Sequence, residues 1–148
     1  MDLKTLYREV IMDHYKYPKH KGLLNDETYL TVQLNNPTCG DDLIVQLLVE
    51  NGVIKDLRQQ GKGCSICCAS ASVAASTLIG LTIDKALETI LEFYEMIKGE
   101  PFDQQLMDGD VLAFQSVHQF PARIKCATLA WKAYEKGLLP LKGDTHHG

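Results

Sequence analysis

The stretch Asn36-Pro37-Thr38-Cys39-Gly40-Asp41 sets a thiol and a carboxylate two residues apart, in a turn between two strand-like runs. Two more cysteines, Cys64 and Cys126, lie far downstream, each where a helix is expected to begin. Three thiolates and one carboxylate make a four-ligand set suited to Zn²⁺, with the oxygen as the weaker, more exchangeable ligand. A metal site of that composition is one meant to be opened, and a thiolate released from it is a sulfur nucleophile. The spacings are too long for a local knuckle, so the fold must assemble the site.

Each candidate also has an ordinary reading. Cys39 sits in a turn beside Gly40, off any apolar periodic face, which favours ligand or nucleophile over core filler. Asp41 alone reads as a turn residue bonding its own backbone. With Cys39 beside it, ligation is the better reading, while Asp42 should face the other side of its strand. Cys64 follows Gly61-Lys62-Gly63 and opens a helix, whose free N–H groups favour its thiolate. Cys126 has Arg123 and Lys125 nearby, also expected to lower its pKa. Cys67 and Cys68 fall in an Ala/Ser-rich helix and read as small buried hydrophobes. Cys64-Ser65-Ile66-Cys67 also matches a helix-start redox pair, but the chain lacks the alternating strand–helix order of that fold. His14 and His20 flank a basic loop and read as solvated or partner-contacting. His118 is a weak ligand candidate, and His146 and His147 read as incidental.

The elements that must position these residues follow from periodicity. Leu3, Leu6, Tyr7, Val10 and Ile11 have helical spacing, ended by Pro18 and Gly22. Residues 29–34, 43–49 and 53–58 read as strands, the last two joined by an Asn51-Gly52 hairpin turn. From residue 65 onward the chain reads as helical. Thr82 is the N-cap of a helix stopped by Gly99 and Pro101, one or two short helical pieces fall within 103–118, and Pro121 opens a last helix stopped by Gly137. Strands first and helices after predict an α+β fold: a three-stranded antiparallel sheet packed against a cluster of helices, with the metal site at one end. One domain over 1–139 and a flexible tail over 140–148 are expected.

Composition narrows the function classes. A chain of 148 residues can bury a core without staples. Its formal charge of −4 argues against nucleic acid as a partner. No secretory signal and no membrane span are read, so a cytoplasmic setting is expected. Five cysteines, an odd number, do not suggest a disulfide framework there.

Beyond these readings, the chain resembles the SufU branch of the IscU/NifU N-terminal family of iron–sulfur biogenesis proteins. The matching pieces are Leu6-Tyr7-Arg8, Asp13-His14-Tyr15 with Pro18, and Asn36 to Asp41. They continue with Gly61 to Ile66, Ala69-Ser70, and Arg123-Ile124-Lys125-Cys126-Ala127. The resemblance implies Cys39, Asp41, Cys64 and Cys126 clustered around a metal. Cluster scaffolds carry a His directly before the third cysteine, where this chain has Lys125. The segment between Cys64 and Cys126 is also longer here, and the Pro-rich chaperone-recognition stretch is reduced to Phe120-Pro121-Ala122. These departures fit a zinc-dependent sulfurtransferase that accepts persulfide sulfur on Cys39 from a SufS-type cysteine desulfurase and passes it to a downstream iron–sulfur assembly scaffold. Docking is expected to exchange one zinc ligand for a partner side chain, such as a His. Arg123 would steady the developing anion or a site carboxylate, or serve only as an ion-pair residue. The alternatives are a scaffold carrying an iron–sulfur cluster on the same ligands, a structural-zinc module, and a thiol–disulfide oxidoreductase.

Overall fold

Residues 30–34 alternate apolar and polar side chains and 43–49 form a nearly continuous apolar run, and in the computed structural model, which describes residues 2–145 (side chains to Lys142), both belong to one sheet. Strands β1 (Leu30–Asn36), β2 (Asp41–Glu50) and β3 (Val53–Lys62) pair antiparallel in the order β1-β2-β3. Asn51 and Gly52 both take positive φ, 54° and 75°, as the two-residue hairpin turn requires. The β1–β2 connection takes four residues: Asn36 pairs with Asp41, and Cys39 N–H donates to the Asn36 carbonyl at 3.2 Å.

Leu43, Val45 and Leu47 of β2 and Ile54 and Leu57 of β3 are buried. Helices α1 (Leu3–Lys16), α2 (Ser65–Leu78), α3 (Ile83–Ile97) and α4 (Pro121–Thr145) complete the fold, with a 3₁₀ segment at Gly109–Gln119 between the last two. Both α2 and α4 pack on the sheet, and α3 packs on α4. The Ala/Ser content of α2 permits this, because seven of its nine buried residues are Ala, Ser or Cys, with little side chain to hold the layers apart. Trp131 of α4 stacks on Phe93 of α3 at 4.0 Å between ring centroids. Its indole N–H donates to Ser70 of α2, which in turn donates to the Ala127 carbonyl.

Three expectations need correction. Gly137 does not stop the last helix. It lies inside α4, where a Cβ would come within 2.9 Å of Leu47 Cδ1, so its bare face lets the helix sit close on the sheet. Residues 140–145 continue α4 through Pro140 rather than forming a tail, while 146–148, with His146 and His147, lie outside the described residues. His14 is not solvated. It is buried, with Nδ1 at 2.8 Å from Ser72 Oγ and Nε2 at 2.7 Å from Asp110 Oδ2, and joins α1, α2 and the 3₁₀ segment. The basic loop after α1 is likewise tied down. Gln59 N–H donates to the His20 carbonyl, Gly22 N–H to the Gln59 carbonyl, and Arg58 to the carbonyls of Lys21 and Gly22.

Candidate metal centre

Three elements deliver side chains to one end of the sheet. The β1–β2 hairpin tip carries Cys39 and, at the first position of β2, Asp41. Gly40 between them takes φ +72°, the left-handed turn conformation that glycine adopts without cost. Strand β3 ends at Lys62, and Gly63 leads into Cys64, the N-cap of α2. The second turn of α4 brings in Cys126.

The sulfurs of Cys39 and Cys126 and a carboxylate oxygen of Asp41 lie within 4.8 Å of one another. Asp41 is 1% exposed, and its Oδ1 accepts the Cys64 backbone N–H at 3.1 Å. Its Oδ2 is buried with no hydrogen-bond partner, one of two such side-chain atoms among the described residues. The other, Asn36 Nδ2, belongs to the residue paired with Asp41 across the hairpin. Cys64 is half-buried, and its sulfur is not part of the mutual 4.8 Å group formed by Cys39, Asp41 and Cys126.

Gly63 has a specific reason to lack a side chain. A methyl group there would overlap the Asp41 carboxylate, so the chain entering α2 is shaped around that acid. Asp42 is exposed and accepts a hydrogen bond from Gln33 Nε2 at 3.0 Å, on the face away from the site, as alternation requires.

The electrostatics differ from expectation at Cys126. Arg123 interacts with Cys126, yet the net shift of the thiol is upward. Burial, and then the closeness of the Asp41, Cys39 and Cys64 side chains, push the thiol up. These partners are anions or potential anions, so the pocket without a cation disfavours a further thiolate. Arg123 is exposed next to the cluster, and its guanidinium pKa is raised by the charge of Cys64 and by a hydrogen bond to Cys126. Burial pushes the Cys67 thiol up as well, as expected of a core residue. Cys68 is only half-buried, its thiol directed to the Gly63 carbonyl at 3.8 Å. His118 stays on the surface, with Nδ1 on the Gln115 carbonyl.

A buried carboxylate with one oxygen unpartnered, facing two thiols, is the donor set of a soft-to-borderline divalent cation. The residues present therefore fit zinc. No helix among the described residues is long and apolar enough to cross a membrane.

Comparison with known proteins agrees with this chemistry. Residues 6–127 match the NifU-like N-terminal domain family. The zinc-dependent sulfurtransferase SufU of Bacillus subtilis is 46% identical over 142 residues, covering 96% of this chain and 95% of that protein. The iron–sulfur cluster assembly scaffold protein IscU of Thermotoga maritima is 36% identical, covering 93% and 96% of the two chains. A crystal structure from Fervidobacterium islandicum, described as a candidate iron–sulfur cluster assembly scaffold of the SUF system, superposes with a TM-score of 0.80. It is 33% identical and covers 93% of this chain and 99% of that one.

Proposed function

Because the chain belongs to the NifU-like N-terminal domain family, we propose that it is a zinc-dependent sulfurtransferase of iron–sulfur cluster assembly that takes persulfide sulfur from a cysteine desulfurase onto Cys39. The observation that carries this reading is the buried, unpartnered Asp41 Oδ2 beside the Cys39 and Cys126 sulfurs. Cys39, Asp41, Cys64 and Cys126 would hold the ion. Zinc bound there would keep the cysteines deprotonated at neutral pH without oxidising them.

The chain's own residues do the rest. Cys39 lies on the hairpin tip next to an exposed glycine, where an incoming protein meets it before it meets buried Cys126. Its thiolate attacks the outer sulfur of the desulfurase persulfide. A new S–S bond forms at Cys39, the donor's S–S bond breaks, and the donor cysteine leaves as a thiolate. One persulfide replaces another, so nothing is oxidised overall. Arg123, exposed beside Cys64 and Cys126, steadies the negative charge that moves through the cluster. The partner is read as a SufS-type desulfurase, the downstream acceptor as an iron–sulfur assembly scaffold, and the setting as the cytoplasm.

The test is to assay Cys39→Ala, Asp41→Ala, Cys64→Ala and Cys126→Ala for zinc content and for stimulation of desulfurase turnover. Cys39→Ala should abolish stimulation, and Cys67→Ala should leave zinc content near wild type. Normal stimulation by Cys39→Ala would end the acceptor reading. The second reading, a cluster scaffold, draws on the scaffold relatives. Anaerobic reconstitution giving a stable, transferable cluster in stoichiometric yield would favour it.

A further inference from the structure

We propose that Cys64 and Cys67 form a dithiol–disulfide couple, a second chemical site beside the sulfur acceptor Cys39, which takes low-molecular-weight disulfides as oxidants. Cys64 is the N-cap of α2, with extended backbone (φ −69°, ψ 165°), and its side chain makes no capping hydrogen bond. Its sulfur is thus not committed to the helix end, and the residue is half-buried at the rim. Cys67 lies in the first turn of the same helix and is 1% exposed.

Residues three apart on a helix carry Cβ atoms about 5–6 Å apart. A disulfide needs Cβ atoms about 3.5–4.5 Å apart. Cys64 stands outside the helical well, so its Cβ is not bound to the intrahelical spacing, and turning its side chain brings the sulfur toward Cys67 while Asp41 and the Cys68 N–H hold its backbone. The order of exposure also suits the chemistry, with an accessible thiol first and a sheltered one behind it. Cys68 is the rival partner, but its thiol is directed to the Gly63 carbonyl.

The reaction balances in two exchanges. The Cys64 thiolate attacks one sulfur of glutathione disulfide, forming a mixed disulfide and expelling glutathione thiolate. Cys67 then attacks the Cys64 sulfur and expels the second glutathione, which leaves with the Cys67 proton. The two cysteines are oxidised by two electrons, one glutathione disulfide is reduced to two thiols, and a dithiol reverses the change. Closing the bridge also removes the Cys64 sulfur from the metal, a consequence that rests on the ligand reading above.

The experiment treats the zinc-loaded full chain with glutathione disulfide, maps disulfides in non-reduced digests and follows zinc release with a colorimetric chelator. A Cys64–Cys67 bridge reversed by dithiothreitol is expected, whereas Cys67→Ala, in which exchange halts at the mixed disulfide, should keep glutathione on Cys64. Cys67→Val, which keeps the core filled but cannot bridge, should behave as Cys67→Ala does, and Cys68→Ala as wild type. No Cys64–Cys67 bridge, a bridge from Cys64 to Cys68 instead, or a Cys39–Cys126 bridge alone overturns the proposal. A Cys64–Cys67 bridge that forms while zinc stays bound supports the couple and removes Cys64 from the ligand set.

Discussion

Burying the Asp41 carboxylate with one oxygen unpartnered costs several kcal/mol unless a cation offsets it. That cost separates a metal ligand from a turn residue and gives a test with opposite signs. Asp41→Asn keeps the shape and the acceptor for the Cys64 N–H but removes the charge. Without metal, the variant should be as stable as wild type or more so, by about 1–3 kcal/mol. With zinc, it should be less stable than wild type and hold the ion more weakly. Thermal melts with and without added zinc decide, and equal destabilisation in both would make Asp41 an ordinary turn residue. Ser70 carries a different kind of prediction. Its hydroxyl accepts the Trp131 indole N–H in a fully buried site, so Ser70→Ala strands that donor and should cost about 1–3 kcal/mol in denaturant unfolding.

At the scale of elements, the segments that position the proposed ligands matter as much as those side chains. Gly63 joins β3 to α2 against the Asp41 carboxylate, with no room for a side chain. Gly63→Ala should therefore displace Asp41 and weaken zinc binding, measured by competition with a chromogenic chelator, while the helical circular dichroism is unchanged. Wild-type affinity would show that the acid can move freely. Local chemistry made several elements legible: Asn51-Gly52 for the hairpin, Thr82 accepting the Lys85 N–H as an N-cap, Pro121 at the start of α4. Gly137 misled because its role is close approach to Leu47 and Val32, a contact with remote strands. His14 misled for the same reason, since its partners lie 58 and 96 residues away. Cysteine placement was legible from turns and helix starts. The raised pKa of Cys126 was not, because burial and the neighbouring Asp41, Cys39 and Cys64 come from other elements.

For the whole molecule, the cluster ties the hairpin tip, the start of α2 and the second turn of α4 at one end, while Trp131, Phe93, Phe114 and Leu78 fill a core that needs no metal. Chelation should then loosen the molecule without unfolding it. A ligand that binds only the folded state stabilises it by about 2.7 kcal/mol at a hundred-fold excess over its dissociation constant. In a chain of this length each kcal/mol moves the midpoint by roughly 2–4 °C. Removing zinc should lower Tm by about 5–10 °C with far-ultraviolet circular dichroism retained. Cys126→Ala should melt at one temperature whether or not zinc is added. Wholesale unfolding on chelation would instead mark the ion as a structural staple, and a wild-type midpoint indifferent to zinc would mean that these elements meet without gripping a metal.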